Sequence, residues 1–367
     1  MKNRTAALLL ALALPLSGCS AMLEREYQTV TNHVQVPLSD EDSAAIWVEN
    51  YSELVSAILY QVSLHQETGI VRLRDWKGDV EDSLARACEE VSRDDPLGAY
   101  AVDRIQHKYT RMVTYYEAVI TIDYRRTAEQ IASVSTVTGS GAIRAELRDA
   151  LAGFVTETAF RINYFDETQG EDYILDLVRQ AYYDTPEAAL GLPAAEVSLY
   201  PDSGQQRVVE VLLTYPEEPQ VLREKSLRLA EEAQSLCAPF GQTLEGGALA
   251  SALCGALQEH ASGWPGEEGN HSTAYAALVE GAADSEGMAL AFKELCDLSG
   301  ISCTVVEGTL GGEPRFWNII TLPSGSRHMD PAGTSSAMYT DSQMQQAGFA
   351  WDTAAYPACS DPAGENI

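Results

Sequence analysis

The chain has 367 residues, and 54 Asp and Glu against 24 Lys and Arg leave a formal net charge of −30. That excess repels nucleic acid and anionic membrane surfaces, so no nucleic-acid partner is expected. With 45% hydrophobic and 8% aromatic residues there is ample material for two or three packed domains. The acidity is therefore a solvated surface rather than a mark of disorder.

The N-terminus reads as a targeting segment. Lys2 and Arg4 precede an apolar run, Ala6 to Leu16, too short to span a bilayer. It ends in Leu16-Ser17-Gly18-Cys19, which resembles the lipobox of bacterial lipoproteins. That resemblance implies cleavage before Cys19 and a diacylglycerol on its thiol, and two acyl chains suffice for stable anchoring. The expectation is a signal peptide at 1–18, a tether at 19–44, and a lipid-anchored protein on the extracytoplasmic face of the cell membrane. The plainer alternative is an ordinary secretory peptide that contains a Cys. Within the tether, Val34 to Leu38 can add a strand to the first domain.

From Ala45 to about Glu232 the pattern repeats. The first copy reads IVRLRDW, DVEDSLARACEEV, Asp95-Pro96, IQHKYTRMVTYYEAVITIDY and a short helix from Thr127. The second reads AFRINYF, GEDYILDLVRQAYY, Thr185-Pro186, EVSLYPDSGQQRVVEVLLTY and a helix from Pro219. Glu81-Asp82 and Glu171-Asp172 lie 90 apart, as do Pro96 and Pro186. Parity is shared too: Ala118, Ile120, Ile122 and Tyr124 fall on one strand face, as do Val209, Val211, Leu213 and Tyr215. Each copy is a strand–helix–hairpin–helix unit. The expected fold class is α+β, with duplicated modules at 45–138 and 139–232, a third unit at 233–360 and a tail at 361–367. Neither copy gathers His, Cys or paired acids at chemical spacing, so a structural or adhesive role is expected of both, with binding the remaining option.

The stretch from Thr273 to Pro331 organises the third unit. Asp284 is an N-cap for a helix opened by Ser285, with Glu286 in its first turn. Met288, Phe292, Leu295 and Cys296 form one helical face, and Ser299-Gly300 stops it. Ile301 to Val306, Phe316 to Leu322, and a short run ending at Asp330 come next as strands, the first two joined through Gly311-Gly312.

This order resembles the core of the transglutaminase-like superfamily, itself related to papain-type cysteine proteases. There the pattern is AYxALxxGxAVCEGYA, then HAWN, then HxDP, with Cys as nucleophile, the HAWN His as base and the final Asp orienting it. Thr273-Ala274-Tyr275, Glu286-Gly287, Trp317-Asn318 and His328-Met329-Asp330-Pro331 stand where that pattern places them. Trp351-Asp352 and Tyr356-Pro357-Ala358-Cys359 resemble a WD…YPAC ending of bacterial members, so the resemblance covers roughly 245 to 360. It implies a binding cleft near Tyr275, Glu286, Trp317 and His328.

The departures fall on the chemistry. Ser285 holds the nucleophile position and Arg315 the base position; of the three only Asp330 remains. A Ser hydroxyl needs an adjacent base, and a guanidinium does not deprotonate in proteins. The expectation is a pseudoenzyme, a degenerate transglutaminase-like domain that binds a protein or cell-wall peptide without turnover. Arg315 and Asp330 are expected to form a salt bridge. The alternatives are a hydrolase or amidase using Ser285 with His328, or a structural spacer. No CxxC occurs, and neither metal nor cofactor is expected. Cys88, Cys296 and Cys303 read as buried free thiols, while Cys237, Cys254 and Cys359 are the candidates for pairing. His33, His65, His107 and His260 read as isolated surface residues, and His271 as one that can approach the cleft.

Overall fold

The computed structural model describes residues 39–40, 43–166, 170–240, 244–263 and 269–360. The signal segment, Cys19, the expected Val34–Leu38 strand and the tail at 361–367 lie outside the described residues. The architecture is mixed α+β, built on three sheets.

The first sheet comprises β1 (Ser39–Asp40), β2 (Ser43–Val48), β3 (Thr68–Arg74), β4 (Val102–Arg111) and β5 (Tyr115–Tyr124), in the order β1-β2-β3-β5-β4. Helices α1 (Tyr51–Ser63) and α2 (Val80–Arg93) cover one face, and α3 (Pro96–Ala101) packs on both of them and against strands of the second sheet. Each starts on a side-chain cap, from Asn50, Asp79 and Asp95 in turn, which satisfies amides that the helix cannot. Leu54, Ile58, Leu84, Ala87 and Val91 of these helices bury against Val71, Leu73, Ala118, Ile120 and Ile122 of the sheet.

After α4 (Ala128–Ala132) the second sheet comprises β6 (Ser135–Val137), β7 (Glu157–Ile162), β8 (Ala194–Tyr200) and β9 (Arg207–Thr214). The strand orders β2-β3-β5-β4 and β6-β7-β9-β8 correspond. So do the senses: the first pair in each is parallel and the others antiparallel. Its helices are α5 (Gly139–Ala152), α6 (Gly170–Asp184) and α7 (Pro219–Cys237), with a short 3₁₀ turn at Pro186–Ala188 where the first unit has α3. Each unit is longer than the repeat visible in sequence, since a parallel strand and a helix (β2 with α1, β6 with α5) precede the repeated motifs.

One local device occurs in both units. The helix after the first strand ends on a residue with left-handed backbone, His65 (φ 51°) or Phe154 (φ 49°). For residues other than Gly this conformation costs roughly 1 kcal/mol or more. A tyrosine from the end of the hairpin packs on that ring and donates to the next carbonyl. Tyr124 stacks on His65 and donates to Gln66 O at 3.2 Å; Tyr215 meets Phe154 edge-on and donates to Val155 O at 3.1 Å.

The third sheet comprises β10 (Ser302–Leu310), β11 (Glu313–Leu322), β12 (Gly325–Met329) and β13 (Phe349–Trp351), in the order β12-β11-β10-β13. Beneath one face lie α8 (Gly246–His260) and α9 (Ser285–Leu298), preceded by a π-helical turn at Ala276–Glu280. A single apolar core runs from Phe160, Val209 and Val211 of the second sheet through Leu253 and Phe292 to Ile320 and Met329. Helix α7 crosses the 232/233 boundary expected from sequence. On the opposite face Val306, Trp317, Ile319, Met344 and Cys359 form a smaller core, closed by α10 (Asp341–Gln346) and the segment that follows it. Among the described residues no helix is long and apolar enough to cross a membrane.

Candidate functional site

Helix α9 begins as expected. The Asp284 carboxylate accepts from the amides of Glu286 (2.9 Å) and Gly287 (3.0 Å), and Ser272 Oγ donates to its other oxygen. The amides that favour an anion at a helix N-terminus are thus already occupied by the chain's own carboxylate. Gly287 has a steric reason to be Gly: a Cβ there would stand 2.5 Å from His271 O. Ser285 is half-buried, and its Oγ accepts the Phe316 backbone N–H at 3.2 Å. The nucleophile position therefore meets β11 at the residue following Arg315.

Arg315 turns away to Asp330. One nitrogen, Nη2, reaches both carboxylate oxygens, at 2.8 and 2.7 Å. The expected ion pair is formed, although not as a two-nitrogen fork, since Nε is buried without a partner. The side chains are 21% and 12% exposed, so the pair is largely dry. It lines a cavity of about 680 Å³ together with Leu310, Tyr339, Gln343, Met344 and Phe349.

His328 does not serve Ser285. It pairs with Ile319 across β11 and β12, which places it on the sheet face away from α9, and it is fully buried. The Trp317 indole N–H donates to its Nδ1 at 2.9 Å, and Nε2 lies 2.8 Å from Asp341 Oδ1. An indole can only donate, so Nδ1 is bare and Nε2–H donates to the carboxylate. Both ring nitrogens are spent, which removes the geometric basis for a Ser285–His328 dyad. Burial also holds the imidazole below its usual pKa, against the pull of Asp341.

Nε2 of His328, a carboxylate oxygen of Asp341 and Sγ of Cys359 lie within 4.8 Å of one another, and these donor types suit zinc. Trp317 argues against a metal. A neutral imidazole that binds metal through Nε2 carries its proton on Nδ1, where it would face the indole N–H.

The expected cleft wall is mostly core. Trp317 and His328 are fully buried under the C-terminal segment, and Tyr275 is 8% exposed with Lys225 over its ring. The reason is long-range: Tyr339 bridges to His328, and Asp341 N–H donates to Cys359 O at 2.9 Å, folding residues 339–359 over that face. On the α9 side, Tyr183 of α6 donates to Glu286 at 3.0 Å and its ring lies 5.8 Å from Phe316. Burial, with Asp284 and Glu307 nearby, pushes the Glu286 carboxyl up to about 7 against the Tyr183 hydrogen bond. His271 reaches α9 through its backbone, with Asp284 N–H donating to its carbonyl at 3.1 Å; both ring nitrogens are buried without partners.

Two sequence readings need correction. Cys237, Cys254 and Cys359 are free, like the other described cysteines, each in separate surroundings: against α9, inside α8, and in the smaller core. His65, His260 and His107 are not isolated: His65 Nε2 lies 3.1 Å from Arg126 O, His260 Nε2 lies 2.7 Å from Leu278 O, and His107 lies half-buried between Cys88 and Glu81. Its signal is present in the sequence, since His107 shares strand parity with Ile105 and faces α2, where Glu81 and Cys88 stand two turns apart.

No family model matches this chain, and no curated protein matches it. Among solved structures, one described as "Crystal structure of a TGase" is similar over 58% of this chain and 63% of that one. The sequence identity is 13% and the TM-score 0.27. The chain thus spans less than two thirds of that structure's length.

Proposed function

We propose that this chain is a membrane-anchored extracytoplasmic lipoprotein whose C-terminal part is a degenerate transglutaminase-like domain that binds a protein or cell-wall peptide without turning it over. The Arg315–Asp330 ion pair carries the reading. It occupies the positions where the motif requires a base and the group that orients it, and it ties up the acid with a cation that cannot take a proton. Ser285 stands at the helix start with a backbone amide on its Oγ, and among the described residues no imidazole is hydrogen-bonded to it.

The expected cleft beside Ser285 and Trp317 is filled by side chains, which by itself suits a spacer; the pocket beside the ion pair is what supports binding. Tyr183, Glu286 and Phe316 crowd the Ser285 side, while the Arg315–Asp330 side opens into about 680 Å³, a volume suited to a small ligand or a peptide side chain. The corresponding N-terminal units are, in this reading, a duplicated pair of structural or adhesive modules.

The test uses the purified chain from Ser20 onward. Amine incorporation into a glutamine peptide and peptide hydrolysis should both stay at the level of a heat-killed control, while calorimetry detects binding of soluble cell-wall peptide fragments. A catalytic rate that vanishes in Ser285→Ala overturns the pseudoenzyme reading. Separately, a Cys19→Ala chain that still takes up labelled fatty acid ends the lipoprotein reading.

A further inference from the structure

Glu81 and Cys88 stand two turns apart on one face of α2, and His107 of β4 faces them. His107 Nδ1 lies 3.8 Å from Cys88 Sγ, and its Nε2 lies 3.2 Å from Glu81 Oε1. A carboxylate can only accept, so Nε2 carries the ring proton; Nδ1 is bare and receives the thiol S–H. A nucleophile, a base and a group that orients the base are therefore in one hydrogen-bonded line. The thiol borders a cavity of about 360 Å³, also lined by Ser92, Arg93, Arg104 and Ile105.

The second unit serves as an internal control. His107 pairs with Ile120 on β5, and Val197 pairs with Val211, the corresponding residue of β9. The buried positions of α2 (Leu84, Ala87, Cys88, Val91) match those of α6 (Ile174, Leu177, Val178, Ala181). Where the first unit has Cys88 and His107, the second has Val178 and Val197, and it packs without them. The architecture does not require a thiol and an imidazole here.

We propose that Cys88, His107 and Glu81 form a second site, a histidine-activated thiol that is oxidised by a small hydroperoxide. Sγ attacks one peroxide oxygen and the O–O bond breaks. The S–H proton passes to His107 Nδ1 and from there to the leaving alkoxide or hydroxide. The products are the Cys88 sulfenic acid and an alcohol or water; sulfur gives up two electrons and the peroxide gains them. Burial pushes the Cys88 thiol up to about 12, so the resting group is a thiol and the base is needed as the sulfur attacks. Access is narrow, with Cys88 6% exposed, which limits the oxidant to a small one. Cys88 and His107 touch the reacting atoms; Glu81 positions the ring.

The test is peroxide treatment of the chain from Ser20 at neutral pH, with dimedone to trap sulfenic acid and mass spectrometry to rank the cysteines. Cys88 should be trapped at least about tenfold faster than Cys254 or Cys296, which are buried without an imidazole, and His107→Val should remove that advantage. His107→Val borrows the residue of the second unit, and its fold is checked by thermal melting; His107→Gln carries the same expectation should the first variant melt early. Glu81→Gln should shift the midpoint of the rate–pH profile, and Glu81→Asp should restore it. Cys88 trapped no faster than Cys254, a folded His107 variant with an unchanged rate, or a profile unmoved by Glu81→Gln would each overturn the proposal.

Discussion

Replacing Arg315 by Ala tests the ion pair on which the functional reading rests. Removing one partner of an exposed pair costs about 0–1 kcal/mol, whereas removing one partner of a fully buried pair costs roughly 3–5 kcal/mol. Arg315 and Asp330 lie between these limits at 21% and 12% exposure, and the adjoining cavity lets some water reach an orphaned carboxylate. Arg315→Ala should therefore cost about 2 kcal/mol. Asp330→Ala should cost less, about 1 kcal/mol, because the freed guanidinium is the more exposed group. The double variant should fall short of the sum by about 1 kcal/mol, as expected for groups in direct contact. Urea unfolding at neutral pH reads all three as shifts in midpoint at constant slope. The exposed Arg93–Glu89 pair, at 73% and 61%, is the control and should show no measurable coupling at high salt. Arg315→Ala within about 0.5 kcal/mol of the parent, or strictly additive costs, would refute the reasoning.

Three further outcomes concern other parts of the molecule. A Cβ on Gly69 would stand 2.3 Å from the Gln61 amide, so Gly69→Ala should cost roughly 1–3 kcal/mol and Gln61→Ala should relieve it, as Ala150 and Thr158 do at the corresponding places; additive midpoints in urea would contradict this. Burial, with Glu187 and Asp297 nearby, pushes Glu294 up to about 7, above its unfolded value. The stability it contributes is present below pH about 4.3 and is lost as pH rises through 7, so Glu294→Gln should stabilise by on the order of 2 kcal/mol at pH 8 and little at pH 4.5; an equal change in melting temperature at both pH values would count against it. For His328 the sign is opposite: its folded pKa is depressed, so stability is intact above pH about 6.5 and is lost as pH falls below it. Trp317→Phe removes the donor at Nδ1, so ring proton shifts should show His328 titrating at higher pH, and an unchanged midpoint would refute the tautomer assigned to it.

Much of the architecture is legible in local pattern. The Asp284 cap, the alternation of Ala118, Ile120 and Ile122, and the 90-residue offsets each come from side-chain period and capping chemistry. Helices α1 and α5 are harder to see because they precede the strongest repeat signal, and α5 opens in Thr138-Gly139-Ser140-Gly141, which reads as loop. At the site, the pairing of Arg315 with Asp330 is legible only through the resemblance, which sets the base and orienting positions side by side, together with their opposite charges. Trp317 and His328 line no open cleft, contrary to the motif's implication, because residues 339–359 fold back over the sheet and bury them. Nothing within β11 or β12 announces that contact. His107 is a partial exception: its sequence neighbours are polar, but its strand parity with Ile105 points it at α2, whose packing on β4 brings a thiol to it.

The group at Nδ1 decides which histidine can act as a base. In both His107 and His328 an acid lies on Nε2, Glu81 or Asp341, and fixes the same tautomer. At His328 the bare Nδ1 faces an indole, a donor that nothing can displace without leaving a buried N–H unpaired, at a cost of roughly 1–3 kcal/mol. The ring is locked, and its role is to pin the C-terminal segment through Asp341 to the back of the sheet. At His107 the bare Nδ1 faces a thiol, a donor that can give up its proton. Among the described residues no imidazole is hydrogen-bonded to Ser285 Oγ, and the guanidinium at the base position is paired with the retained acid. Chemistry driven by an imidazole is therefore favoured in the first sheet unit rather than at the C-terminal motif, and the two sites can be tested separately: Ser285→Ala should leave Cys88 trapping unchanged, and His107→Val should leave peptide binding unchanged.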